Sequence, residues 1–223
     1  MDTLLKSIKI IVNDKVFKKD PESSKLGKNI IEQSILLIDE IGFDAFTFKK
    51  LGVKIGSNES SIYRYFENKH MLLLYLASWY WSWIEYQLVF STSNIANPKE
   101  KLDKAIETIA RTVEVDSSFT HVNEVALHRI IINEYSKSYL TKEVDDENKE
   151  GFFAIYKRLV IRFSDMIHLV NKEYPYPLSL ASTLIEGVLH QHYLKDHFPS
   201  ITDCDSVLPT AYFKHLIFTN LKG

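Results

Sequence analysis

Apolar positions recur every three or four residues along most of the chain, and no stretch of any length alternates apolar with polar, so the pattern predicts helices. Leu4, Leu5, Ile8, Ile11 and Val12, with Lys6, Lys9 and Lys15 between them, predict a short amphipathic helix over 3–17. Asp20-Pro21-Glu22-Ser23-Ser24 breaks it, and Ser23 or Ser24 can cap the next helix. From Lys28 the series Ile30, Ile31, Ile35, Leu36, Leu37, Ile38 and Ile41 predicts a longer helix that ends at Gly42. Thr47 is placed to cap a short helix, Phe48 to Ile55. Gly56-Ser57-Asn58 then makes a tight turn, and Glu59 to Phe66 predicts a second short helix. Asn68 caps a long, aromatic-rich helix carrying Leu72, Leu73, Leu74, Leu76, Trp79, Trp83 and Leu88. Further helices are expected at about 98–115, 121–140, 150–172, 178–197 and 206–221. The breaks are Asn97-Pro98, Asp116-Ser117-Ser118, the charged run Lys142 to Glu150, Tyr174-Pro175-Tyr176-Pro177 and His197-Phe198-Pro199.

Composition agrees with an all-α reading. Hydrophobic residues make up 45% and charged residues 25% of 223, enough to bury a sizeable core. Only 7 glycines and 6 prolines are present, fewer than β-rich folds need for their turns. A single cysteine, Cys204, excludes an internal disulfide or Cys-cluster metal site and fits a reducing cytoplasm. The start is apolar, but Lys6 and Lys9 interrupt it, so it reads as neither a signal peptide nor a span, and no membrane partner is expected.

Net charge is −2, so a polyanion partner has to be argued from local charge. Between residues 46 and 69 five basic residues (Lys49, Lys50, Lys54, Arg64, Lys69) face two acidic ones (Glu59, Glu67), a local balance of +3. Two helices of about eight residues around a glycine turn match the helix-turn-helix pattern. Phe48, Leu51 and Ile55 can pack against Ile62 and Phe66, and the second helix then presents Ser60, Ser61, Tyr63, Arg64 and Tyr65. Hydroxyls, phenols and a guanidinium are groups that bond phosphates and base edges. Two packed helices with a solvated basic face are the plainer reading of the same residues.

In this stretch the chain resembles the tetracycline-repressor (TetR) family of bacterial regulators. The residues that carry the likeness are Thr47, Leu51-Gly52, Gly56 and Ile62-Tyr63-Arg64-Tyr65-Phe66-Glu67-Asn68-Lys69, preceded by Ile30…Gly42-Phe43-Asp44-Ala45-Phe46. The likeness spans about 28–74 and is only architectural beyond. It implies phosphate contacts at Thr47 and Lys69, recognition-helix contacts at Ser60, Ser61, Tyr63 and Tyr65, and more weakly Lys49 and Arg64. Three positions depart from the family pattern: Gly52 for the usual alanine, Gly56-Ser57-Asn58 for the usual turn, and Glu59 opening the recognition helix.

The resemblance further implies a DNA-binding transcription regulator, most often a repressor. Its dimer would bind a palindromic operator and be released by a small apolar or aromatic ligand. The expected organisation is an extension (1–22), the three-helix DNA-binding domain (23–74) and a helical ligand-binding and dimerisation domain (75–223). Trp79, Trp83 and Tyr86, within the stripe Tyr75 to Phe90, and His128 are candidate ligand-pocket residues, with plain core packing the alternative. Phe163, Ile167, Leu184 and Val188 are candidate dimer-interface residues, with burial inside one chain the alternative. His121, Glu124 and His128, or Glu186 and His190, share a helical face, but neither set has a dedicated metal-ligand spacing. No nucleophile elbow, phosphate loop or dinucleotide fingerprint is present, so no catalysis and no cofactor are expected. A helical enzyme or carrier, and a protein-interaction module without DNA, are the other classes to be separated.

Overall fold

The computed structural model describes residues 10–113, 121–204 and 208–222. Among the described residues every regular element is helical: α1 (Lys25–Ala45), α2 (Phe48–Lys54), α3 (Glu59–Ile62), α4 (Lys69–Thr92), α5 (Pro98–Ala110), α6 (Glu124–Glu134), α7 (Ser136–Tyr139), α8 (Val144–Lys149), α9 (Ala154–Val170), α10 (Pro177–His197) and α11 (Pro209–Asn220). None of them is long and apolar enough to cross a membrane.

Capping fixes most boundaries. Ser24 accepts from the Gly27 amide at 3.0 Å and opens α1. Asn97 and Asn123 do the same for α5 and α6, through bonds of 2.9 Å from the Lys99 and Ala126 amides. The expected helix over 98–115 stops at Ala110, where Arg111 turns extended, and that over 121–140 starts at Glu124 behind its Asn123 cap and breaks between α6 and α7. The second helix of the turn motif is shorter than expected, since regular geometry ends at Ile62 and residues 63–65 continue as turns.

Two expectations are corrected. The charged run Lys142 to Glu150 contains a helix, α8, because Asp145, Asp146 and Glu147 sit in its first turn and Lys149 in its last, as the helix dipole favours. Residues 3–9 of the expected N-terminal helix lie outside the described residues. Over 10–17 there is a single 3₁₀ turn, Asp14–Val16, in place of continuous helix. Asn13 turns the chain there by accepting from the Lys15 amide at 2.9 Å, while Val16 is fully buried.

The helices fall into two compact units. The first holds the described residues of Met1–Ser82 and Val113–Ala154, the second those of Trp83–Thr112 and Ile155–Gly223. In the first unit Ile30, Ile31, Ile35, Ile38, Phe46, Leu51, Ile62 and Phe66 form a core with α4's Leu72, Leu73 and Leu76. Here α6 lies along α1. Arg129 grips Asp39 through two bonds of 2.9 and 2.6 Å. At Gly42, where a φ of 75° kinks α1, Glu134 accepts from the Phe43 amide at 3.0 Å.

In the second unit α5, α10 and α11 pack around Leu102, Ile106, Ile185, Phe213 and Ile217. Glu85 is gripped by Arg158 (2.7 and 2.6 Å) and by Arg162 (2.6 Å). Burial pushes the Glu85 carboxyl up, but the two guanidiniums outweigh it and hold it below the ordinary glutamate range.

Phe163, Ile167, Leu184 and Val188 have no more than 1% of their surface exposed, so all four are core residues of this unit. This corrects their reading as dimer contacts, because a side chain already enclosed by its own chain has no surface left for a partner. The apolar residues that α9 does leave open are Ile161 and Leu169, 51% and 55% exposed.

Candidate nucleic-acid interface

Thr47 starts the motif with its hydroxyl accepting from the Lys50 amide at 3.2 Å, which caps α2 and leaves the residue exposed. Phe48 and Leu51 turn inward, and Lys49 and Lys50 stay outside. The glycine at 52 has a local cause. The chain returns after the turn with the Ser57 amide donating to the Gly52 carbonyl at 2.9 Å, and a β-carbon at 52 would lie 2.9 Å from the Ser57 carbonyl oxygen. Gly56, at φ 64°, makes the reversal.

Asn58 organises the recognition segment. Its side-chain oxygen accepts from the Ser61 amide (2.9 Å) and from the hydroxyls of Ser60 and Ser61 (2.7 Å each). One carbonyl oxygen has two lone pairs, so three donors oversubscribe it, and either serine can turn to an outside acceptor at little cost. Tyr63 is 44% exposed and rests edge-on against Phe48, with ring centres 5.0 Å apart. Desolvation first, then the neighbouring Glu59 charge, raises its phenol pKa, so it keeps its proton near neutrality as a hydrogen-bond donor. Arg64 is exposed beside it.

Two expected contacts are placed differently. Tyr65 is only 3% exposed, and its phenol meets the Ser24 hydroxyl at 2.7 Å, so it is a packing residue that ties the end of the motif to the start of α1. Lys69 aims its ammonium at the carbonyls of Phe43 (2.9 Å), Asp44 (3.1 Å) and Phe46 (3.3 Å), over the Phe43 ring. All three of its N–H groups are thus spent on the α1–α2 connection. The signal missed in the sequence is Asn58: an asparagine directly ahead of Glu-Ser-Ser is a strong N-cap as well as the last residue of the turn.

The surface left open by this arrangement comprises Thr47, Lys49, Ser60, Tyr63 and Arg64, with Ser61 half-buried among them. Lys54 is paired with Glu40 at 3.1 Å, which removes part of the local positive excess.

Trp79 and Trp83 are buried, and Tyr86 stacks on Phe90 with centres 6.2 Å apart. His128 is buried and bonds the Tyr80 phenol through Nδ1 at 2.8 Å, the two rings stacked. A cavity of about 410 Å³ in the second unit is lined by Gln191, Ile201, Thr202, Cys204, Tyr212 and His215 among others. The histidines considered for metal have other company: His121 meets Glu22 at 2.7 Å, and His190 stacks on Tyr193. Among the described residues no group of three or more His, Cys, Asp or Glu could hold a metal ion.

Residues 30–76 match the family model described as bacterial regulatory proteins, tetR family. No curated protein sequence matches the chain. Among solved structures, the chain is similar to a tetR-family bacterial regulatory protein from Rhodococcus RHA1, with a TM-score of 0.64 and 15% identity over 89% of this chain and 97% of that one. It is also similar to AibR in complex with isovaleryl coenzyme A and operator DNA, with a TM-score of 0.58 and 18% identity over 86% and 96%. A third is the fatty acid degradation regulator FadR from Bacillus halodurans, with a TM-score of 0.55 and 15% identity over 87% and 94%. At such identities these likenesses speak for the fold.

Proposed function

We propose that this chain, which belongs to the TetR family of bacterial regulatory proteins and is a DNA-binding transcription regulator, acts as a homodimeric repressor of a palindromic operator. The observation that carries the reading is the open face of Thr47, Lys49, Ser60, Tyr63 and Arg64, backed by buried Phe48, Leu51, Ile62 and Phe66. A rigid, hydroxyl-rich and locally basic surface suits a major groove, where phosphate bonds set position and base-edge bonds set sequence. Thr47, Lys49 and Arg64 take phosphates in this reading, and Ser60, Ser61 and Tyr63 take base edges or sugar-phosphate oxygens.

One short recognition segment reads few base pairs, so a two-fold pair of chains on two half-sites makes physical sense. The exposed edge of α9 at Ile161 and Leu169 is the proposed dimer surface.

Release by a small ligand is the third part of the proposal. AibR was crystallised with an acyl coenzyme A and with operator DNA, which supports a ligand-responsive regulator. The 410 Å³ cavity of the second unit lies in the size range of ligand pockets. A ligand that binds better to the DNA-free form shifts the population away from the operator. Binding of the purified protein to the DNA upstream of its own coding sequence, against random duplex over a range of salt, tests the reading.

A further inference from the structure

We infer that Lys18 and Lys19, ahead of the helix-turn-helix, form a second phosphate-binding strip of the DNA interface, fixed to the recognition segment through Tyr65. The inference rests on the DNA-binding reading above and adds to it residues outside the helix-turn-helix.

The Lys18 amide donates to the Tyr65 carbonyl at 2.7 Å, so residue 18 is joined by one hydrogen bond to the residue next to Arg64 in the chain. The Lys19 ammonium lies 5.1 Å from the centre of the Tyr65 ring. The phenol of the same tyrosine bonds Ser24 at 2.7 Å, so Tyr65 is held from both sides by the segment that precedes α1.

That segment is built to stay where it is. Val16 is fully buried, and Phe17 packs edge-on against Tyr75 with centres 6.1 Å apart. Asp20 caps the turn Pro21–Ser23 by accepting from the Glu22 amide at 2.9 Å. The turn lies so close to α1 that a β-carbon on Gly27 would be 2.2 Å from the Pro21 carbonyl oxygen. Only glycine permits that approach.

The lysines of this segment divide by position. Lys15 is paired with Glu150 at 2.5 Å, and Lys28 lies 3.9 Å from Glu22. Lys18 and Lys19 are exposed, and among the described residues neither ammonium has an ion pair. Arg64 is exposed in the same way. Lys18, Lys19 and Arg64, with no ion pair among the described residues, are therefore carried on backbone joined at or next to Tyr65, with Asp20 and Glu67 the acids closest to them on the chain. Cations held this way beside a recognition segment suit the DNA backbone, where each one bound to a phosphate releases a counterion.

The test measures binding of the full chain to a random-sequence duplex of about 30 base pairs between about 50 and 200 mM salt, because phosphate contacts carry no sequence information. Loss of two contacts in Lys18→Gln/Lys19→Gln should lower the slope of log K against log salt by about 1.8. Affinity at the low-salt end should fall on the order of a hundred-fold, and Lys18→Arg/Lys19→Arg should restore both. An unchanged slope in the glutamine variant, beside a steep wild-type slope, overturns the inference and leaves the DNA-binding reading standing. Wild-type protein with no salt-dependent binding overturns the reading beneath it, and the inference falls with it. A weakened variant whose helical melt has also dropped, and which the arginine pair does not rescue, shows a structural role and also overturns it.

Discussion

The ammonium of Lys69, the first residue of α4, lies 2.9 Å from the carbonyl of Phe43 and 4.7 Å from the centre of its ring. With the bonds to Asp44 and Phe46, it pins the start of α4 to the connection between α1 and α2. Lys69→Ala should therefore cost stability, about 1–3 kcal/mol for a charged donor removed from part-buried acceptors, and weaken DNA binding by misplacing α2. Thermal melting and the salt slope separate this from a direct contact. An unchanged melting temperature with a slope lowered by about 0.9 would mean that Lys69 binds phosphate after all.

Asn58 holds Ser60 and Ser61 as well as its own cap. Asn58→Ala should lower stability by about 1 kcal/mol, the usual worth of such a cap, and also reduce operator affinity because both serine hydroxyls lose their anchor. Asn58→Asp should keep the stability and still weaken binding, since it adds a negative charge facing the phosphates. Equal affinity in all three proteins, measured by fluorescence anisotropy, would remove the serines from the interface.

Ile161 and Leu169 lie two turns apart on the outer face of α9. Ile161→Glu/Leu169→Glu should convert a dimer to a monomer in light scattering without lowering helical content, because neither side chain belongs to the core. Persistence of the dimer would place the two-fold surface elsewhere.

His192 is buried against the Ala110 carbonyl, with Nε2 at 3.3 Å, and burial lowers its pKa below the ordinary 6.5. The native state thus prefers the neutral ring, while the unfolded chain takes up a proton as pH falls below about 6.5. Stability contributed by the neutral ring is present above that value and is lost on acidification. The melting temperature should fall between about pH 7 and 5, and less steeply in His192→Gln. A wild-type melting temperature that rose over this range, or an identical slope in the variant, would contradict the assignment.

Much of the fold is legible in the sequence because its signals are local. Thr47 and Asn97 act within one helical turn, and the apolar spacing of 30–41 is unambiguous, although at Gly42, where the sequence pattern predicts its end, α1 kinks and runs on to Ala45. What sequence does not reveal depends on partners far along the chain. Tyr65 reads as a recognition residue until Ser24 and Lys18 are seen against it, 41 and 47 positions away. The apolar stripe of α9 shows that Phe163 and Ile167 are buried on one side, but periodicity cannot say whether the cover is the same chain or a second copy. Arg129 and Glu134 group α6 with the N-terminal module, although a single boundary near residue 75 is what the sequence pattern suggests.

The central claim is sequence-specific DNA binding through the face around Tyr63. The most direct test compares the equilibrium affinity of wild-type protein and Tyr63→Ala for the duplex upstream of the protein's own coding sequence and for random duplex, at about 150 mM salt. The account predicts that wild type prefers the upstream duplex by about a thousand-fold or more, and that Tyr63→Ala loses most of that preference while staying folded and dimeric. Equal affinity of wild type for both duplexes at every salt concentration would contradict it.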